Sequence, residues 1–580
     1  MARMSRPAAA YGRFRNRLSA RLSARTKPAT GFLSHPEPHT IGYVARGRQL
    51  LAGNLMFAGH LVETPGLPWD VTPPSPAYAA DLHAFTWLDD LAAVGDATAR
   101  VQAQKWTWDW IRRYGRGKGP GWTPDLTGRR TIRWVQHAIF LLRGQDRARA
   151  DLFYAALSRQ AEFLSRRGRA AAPGLPRFEA MTGLLYAGLS LEGMQHHIAP
   201  AREALGAECA RMIDEGGGIP TRNPEDLLEV FTLLTWAQEA LDAADMTPTD
   251  AHSAALARMA PTLRALRHAD GSLGRFHGGG RGVDGRLDEA LASSGVRRRR
   301  KEGLAMGFAR LSAGRTSVLI DAALPPAGRA SANAHASTLA MELTSGRRPV
   351  LVNCGAGHAF GPDWRRAGRA TPSHSVLCLD GCSSSRLADP ENFGDEMREY
   401  LRDGPRTVQV EQTRPAEGYR FEGAHDGYVS ATGLTHARSV LLSLDGRTLE
   451  GEDFLVTLEP EHKKRFDRAV DEGGLSGLSF DIHFHLHPDL EVSLDLGGRV
   501  ASVTLRSGEV WVFRFEGDVS MRIEPSVLLE KGRIRPRATK QIVLSGRAMG
   551  YSTRVRWSLA KAQDTALAVR DLVMDEVDPF

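Results

Sequence analysis

The chain has 580 residues, 42% hydrophobic and 24% charged, with 59 Gly, 31 Pro, four Cys and a formal net charge of +8. That length exceeds one ordinary core, so two globular units are expected. Cys209, Cys354, Cys378 and Cys382 have neither metal-ligand spacing nor the density of a disulfide scaffold, and no run of about 18 apolar residues offers a membrane span.

The positive charge is concentrated at the start. Residues 1–48 carry Arg3, Arg6, Arg13, Arg15, Arg17, Arg21, Arg25, Lys27, Arg46 and Arg48 against the single acid Glu37. Arginine interrupts every apolar run there, so the segment lacks the core of a secretory signal. Such an arm suits anionic lipid, nucleic acid or a polyanionic sugar, or serves as an exposed solubilising helix. Beyond it, arginines are interspersed with acids, and no helix-turn-helix, RNA-recognition motif or basic-aromatic interleaving speaks for a nucleic-acid partner.

From about Leu82 to Leu291 apolar residues recur at three and four. In DLLEVFTLLTWAQEAL (226–241), Leu227, Val230, Phe231, Leu234 and Leu241 share one stripe. Pro and Gly punctuation, as in DEGGGIPTRNP (214–224), separates successive helices, and paired helices of this kind pack as a toroid. A charged linker, GVRRRRKEG (295–303), follows. Short alternating runs then dominate, among them GFARLSAGRTSVLIDA, FDIHFHLHP and VASVTLRSGEVWVFRF, with SAGRT, LDGRT and RSGEV as hairpin turns. The expected organisation is a basic arm (1–48), an all-helical toroid (49–300) and an antiparallel β-sandwich domain (301–580).

Several stretches together resemble the heparinase II/III-like polysaccharide lyases: LHAFTWLDDL (82–91), WTPDLTGRRTIRW (122–134), LRHADGSLGRFHGG (266–279), NAHASTLAMELTSGRRPVLVNCG (333–355), WRRAGRATPSHSV (364–376) and HDGY (425–428). The resemblance covers most of the chain beyond the arm. It implies an (α/α) toroid joined to an antiparallel β-domain and cleavage of acidic, uronate-containing glycans by β-elimination at the cleft between them. It also implies a home in the bacterial cell envelope or periplasm; the arm's lack of an export signal leaves a cytoplasmic one as the alternative.

Elimination requires donors that quiet a uronate's charge, a base for the α-proton and an acid for the leaving oxygen. A hydrolase would need a carboxylate pair, which the marked loops do not advertise. In the family a His-Ala-His-Ala-Asp strand is followed by a turn containing Asp and by a later His; the first His joins catalysis and the other three positions approach zinc. The corresponding residues here are Asn333, His335, Asn353 and His374. On a strand Asn333 and His335 would share a face. Asn353 supplies no anionic ligand, which weakens any Zn2+ held with His335 and His374. The family's Tyr-bearing motif reads TRNPEDL here: Arg222 and Pro224 are kept, and Asp226 stands at the tyrosine position. Leu175 and Pro176 occupy a further site where the family places Asn or His.

The catalytic candidates are therefore Arg222, Asn223, Asn333 and His374, with Arg366, Arg369 and His268 as substrate-binding candidates. A replacement base would come from His268, His277, Tyr186, Tyr428 or His374. Structural roles compete at each position. Asn223 before Pro224 suits a helix cap, Arg222 can pair with Glu225 or Glu229, and His483, His485 and His487 suit a packed strand better than a ligand set. Two readings follow: a polysaccharide lyase with a rearranged catalytic set, or a lyase-fold protein that has lost elimination and binds or organises an envelope glycan.

Overall fold

The computed structural model describes residues 6–34, 36–298, 303–393, 396–474 and 476–562. Residues 299–302 of the expected linker lie outside these residues.

The helical half runs α1 (Arg6–Ser23), α2 (Val44–Leu51), α3 (Pro76–His83), α4 (Thr86–Val94), α5 (Ala97–Tyr114), α6 (Pro124–Gln136), α7 (Ala138–Leu142), α8 (Arg147–Arg167), α9 (Leu175–Ser190), α10 (Ile198–Met212), α11 (Pro224–Asp242), α12 (Asp250–Ala265) and α13 (Arg286–Ser293). Capping residues set several starts: Asp96, Asp146 and Thr249 each accept a backbone N–H in the first turn of their helix. A hairpin of Asn54–Phe57 and His60–Glu63 precedes α3 and was not foreseen from the helical periodicity. An aromatic core of Trp87, Trp106, Trp110 and Trp134, all buried, fills the early helices. α6 and α9 approach closely because both carry glycine at the contact; a Cβ on Gly183 would lie 2.6 Å from the Cα of Gly128.

The arm is strapped to the toroid. α1 packs on α8, where Arg167 Nε donates to Asn16 Oδ1 (2.8 Å). Ala29 N donates to Ser158 Oγ (2.8 Å) and Leu33 N to Ser190 O (2.8 Å). α2 runs across residue 48 and contacts α4, so the end of the arm belongs to the helical body.

The second half is two antiparallel sheets packed face to face. One orders its strands Val519–Leu528, Arg537–Ala548, Leu478–Leu486, Arg348–Val352, Met341–Ser345, Thr316–Asp321 and Phe308–Ala313, with Leu377–Leu379 pairing beside the third. The other orders Val408–Thr413, Gly418–Tyr428, Leu434–Ser443, Thr448–Val456, Ser552–Lys561, Val510–Glu516, Val500–Thr504 and Glu491–Asp495. Phe484 from the first sheet meets Phe513 and Trp557 from the second, ring centroids 4.8 and 5.0 Å apart. The architecture is the toroid and antiparallel β-domain expected from the sequence.

One local expectation is corrected. Residues 331–340 do not form a strand: Gly328–Asn333 is a 3-10 helix, residues 334–340 are irregular, and the strand starts at Met341. Buried Arg369 explains the bend, donating to Ser331 O (2.9 Å) and Ala334 O (2.8 Å) and so holding those carbonyls out of any ladder. Asn333 consequently faces solvent while His335 is buried, and the two do not share a face.

Between the sheets lies a wholly buried polar set. Asp453 accepts from Arg438 Nε (2.8 Å) and Nη2 (3.1 Å), from His436 Nε2 (2.8 Å) and from Trp557 Nε1 (2.9 Å). Removing one member of a buried ion pair strands the other charge. Asp453→Asn is expected to lower the unfolding free energy by about 3–5 kcal/mol, measured by urea denaturation followed through tryptophan fluorescence; Asp151→Asn, at the exposed Arg147–Asp151 pair, is expected to cost under about 1 kcal/mol.

Candidate functional site

The family-like motifs from both halves meet at the domain junction, around Asp321 at the end of strand Thr316–Asp321. Arg222, on the loop before α11, crosses to it. Its Nη2 donates to Asp321 Oδ1 (2.5 Å) and Gly307 O (2.9 Å), its Nη1 to Leu324 O (2.8 Å) and Ala323 O (3.3 Å), and its Nε to Met306 O (3.1 Å). A guanidinium has five N–H groups, and these contacts take all of them. Neither Glu225 nor Glu229 is its partner: Glu225 pairs with Lys531, and Glu229 with Arg286 (2.6 Å). Gly307, with φ +79°, makes room for the crossing; a Cβ there would lie 2.7 Å from Arg222 Nε.

Asp321 also accepts from Ser337 Oγ (2.8 Å), and His277 Nε2 lies 3.4 Å from its Oδ2. His277 Nδ1 accepts the backbone N–H of His335 (3.2 Å), so the His277 proton sits on Nε2, toward Asp321. Burial opposes ionisation of Asp321, but the Arg222 guanidinium and His277 outweigh it and hold the carboxyl well below the usual carboxylate range. Arg222, His277, Met306 and Leu339 all have left-handed backbone, φ between +50° and +66°. Such conformations cost about 1 kcal/mol or more each and persist only where surrounding contacts over-determine them.

His335 and His374 do come together. His374 Nδ1 donates to Ala370 O (2.9 Å), so its Nε2 accepts from His335 Nδ1 (3.0 Å). Burial pushes His374 down to about 3, and burial with the neighbouring His374 pushes His335 well below its ordinary value. Asn353, the third residue expected at a metal, has its amide oxygen taken by Ser375 N (3.0 Å) and its amide nitrogen turned to Glu342 Oε1 (3.4 Å). Two mutually hydrogen-bonded imidazoles and an engaged amide do not fit a resident Zn2+, which needs a third ligand and favours an anionic one.

The remaining candidates have structural partners. Asn223 caps α11, accepting from Glu225 N (2.9 Å) and Asp226 N (3.3 Å). His268 is buried between Ser317 Oγ (3.1 Å) and Glu342 Oε2 (3.3 Å), which keeps it from any glycan. Arg369 is 2% exposed and bonded to three backbone carbonyls, including Glu399 O (2.9 Å). Arg366 is exposed and pairs with Glu399 Oε1 (3.3 Å), whereas Arg222 and Arg369 are buried. Asn333 is exposed and held by Arg365 Nη2 (3.2 Å). Tyr186 and Tyr428 are buried with hydroxyls 3.3 Å from Trp236 O and 3.0 Å from Leu377 O. His485, between Ser526 Oγ (2.7 Å) and Pro372 O (2.9 Å), belongs to a packed strand, and Asp426 is satisfied by Arg406 N and Thr407 N.

Sequence reasoning missed Asp321, Glu342 and Lys531. The first two had a signal, a carboxylate inside an otherwise apolar strand run, which is unusual unless paired. Asp226, at the family's tyrosine position, is pushed up to about 6, first by burial and further by Glu225 and Glu229 against the opposing pull of Lys531.

A helical toroid, a two-sheet β-domain and a histidine-bearing junction define the polysaccharide-lyase architecture. Residues 295–558 match the profile described as "Heparinase II/III-like, C-terminal". A curated relative, "FtsZ-localized protein C" of Caulobacter vibrioides (strain NA1000 / CB15N), is 30% identical over 533 residues, covering 90% of this chain and 88% of the relative. The crystal structure of heparinase III superposes with a TM-score of 0.70 at 12% identity, over 94% of this chain and 89% of that one. A heparan sulfate lyase HepC mutant from Pedobacter heparinus gives 0.55 at 14% identity, over 96% and 88%. The chain belongs to the heparinase II/III-like family.

Because His374 is held neutral, its folded value of about 3 lies below the ordinary value near 6.5. The unfolded chain therefore binds a proton that the folded one does not, and stability, complete above pH 6.5, is lost as pH falls toward 3. His374 alone should contribute a slope of about 1.4 kcal/mol per pH unit between pH 6 and 4. Urea midpoints across that range, in the native chain and in His374→Gln, should show the slope reduced by that amount in the variant.

Proposed function

We propose that this protein is a lyase-fold member that no longer performs elimination and works as a peripheral, lipid-bound adaptor of the bacterial division apparatus. The observation that carries the loss of elimination is the engagement of Arg222: a side chain whose five donors are bonded inside the protein has none for a uronate. The base position supports the same reading, since Asp226 replaces the tyrosine and His335 and His374 bond each other in the interior.

The adaptor role rests on α1. Tyr11, Phe14, Leu18 and Leu22 recur at three, four and four, and all are exposed, Tyr11 and Phe14 by 60%. They lie on the side of the helix away from Ala20 and Ser23, which are buried. Arg17 and Arg21 border the stripe on one side and Arg15 on the other, and residues 6–23 contain no acid. An apolar stripe bordered by arginine binds at the surface of an anionic bilayer without crossing it. Among the described residues no helix is long and apolar enough to cross. The name of the curated relative supports a role beside FtsZ, and with it the cytoplasmic alternative over the periplasmic one.

Two outcomes test this. Heparan, chondroitin, hyaluronan and alginate-type substrates are expected to give no ultraviolet absorbance of an unsaturated uronate; its appearance would overturn the loss of elimination. The protein is expected to sediment with phosphatidylglycerol vesicles, less so at high salt, and Phe14→Glu with Leu18→Glu should cut the bound fraction about tenfold or more, the double change removing two apolar anchors of about 1.5–3 kcal/mol each. Equal sedimentation of native and variant chains would remove α1 from the reading.

A further inference from the structure

Among the described residues, a cluster of ligand-type side chains lies on the toroid, outside the junction. Glu162 sits in the last turns of α8, and His196 and His197 in the 3-10 helix Gln195–His197 that leads into α10. One ligand atom from each lies within 4.8 Å of the other two. We propose that Glu162, His196 and His197 form a binding site for a divalent transition-metal ion such as Zn2+ or Co2+, distinct from the family's junction position.

Three observations support it. His197 is 5% exposed and its Nε2 has no hydrogen-bond partner, although it points toward Glu162 Oε2 at 3.7 Å. A buried ring nitrogen without a partner is costly, and a cation between the two groups satisfies both. Glu162 is half engaged, since Arg166 Nη2 takes Oε1 (2.7 Å) and leaves Oε2 facing the histidines. This is the outer hydrogen bond that orients a ligating carboxylate. The rings of His196 and His197 stand 3.9 Å apart at 44°, an approach that two imidazolium cations would resist.

The chemistry selects the ion. Two imidazoles and one carboxylate make a borderline donor set suited to Zn2+ and its neighbours more than to Mg2+ or Ca2+. Ligand atoms around a tetrahedral ion sit about 3.3 Å apart, so closing the site needs a shift of about 1.5 Å at most. Exposed His196 supplies that by rotation. With three protein ligands the fourth position stays open to water or to a group from a partner. The bound ion would tie the loop before α10 to α8, the helix on which α1 packs.

The test uses the untagged full-length protein, stripped with chelator and then freed of it. Co2+ is added while visible absorption is followed, and Zn2+ binding is measured by calorimetry. One equivalent of Co2+ should give the absorption band of a low-coordinate site, displaced by one equivalent of Zn2+. His196→Ala, an exposed position that does not threaten folding, should weaken Zn2+ binding about tenfold or more, the scale on which even outer-shell changes act. Glu162→Gln should do the same, whereas His335→Ala should leave the stoichiometry unchanged. Absence of any band and heat in the native protein, or binding unaltered by His196→Ala, would overturn the site. None of these readouts depends on lipid or glycan binding.

Discussion

The Arg222–Asp321 ion pair is the constraint around which the molecule is organised. It joins the loop before α11 to the end of a β-strand, and so fixes the helical half against the sheet half at a buried point. A buried charge is tolerable only when paired and fully hydrogen-bonded. Asp321 accordingly collects Arg222, Ser337 and His277, while Arg222 collects four carbonyls besides. Breaking either end would leave a charge in the interior, so the pair strongly favours one arrangement of the two domains.

That same completeness is what supports the proposed loss of elimination. Elimination needs donors held ready but not spent, because the energy must appear when the substrate's carboxylate gains charge. At this junction the Arg222 guanidinium is bonded to carbonyls and Asp321, His335 donates to His374 and the Asn353 amide donates to Glu342, while Asn223 accepts from the first turn of α11. The architecture shared with heparinase III is kept, and on the reading proposed above its junction serves cohesion. The left-handed backbone at Arg222 and His277, a kind of strain common at active sites, survives here as part of that cohesion.

Much of the fold was legible because it rests on local periodicity. The three-four spacing of α11 and the hairpin turns at Gly314, Gly446 and Gly508 are stated by neighbouring residues. The junction was legible in its members but not in its pairing. His335 and His374 were expected together and are; Arg222 was expected to face a ligand or a local glutamate and instead reaches a carboxylate 99 residues away. Long-range electrostatic pairing leaves no periodic trace, and several acids near Arg222 in sequence were equally plausible partners. The stretch around Asn333 misled for a related reason: its alternation is that of a strand, but Arg369, 36 residues on, competes for the carbonyls that a ladder would need.

The position of α1 gives the adaptor reading its mechanical content. A membrane-binding helix on a free tether would leave the body's orientation undefined. Here the helix is not free: its inner face lies on α8 through Asn16 and Arg167, and the chain after it is bonded to Ser158, Ser190 and Glu192. Its exposed stripe therefore has a fixed direction relative to the toroid, and the Arg222–Asp321 pair extends that direction to the β-domain. Seating Tyr11, Phe14, Leu18 and Leu22 in a bilayer surface would set the attitude of the whole body. On the proposed reading, the rigidity of the Arg222–Asp321 junction gives a surface-bound scaffold a defined face for its partners.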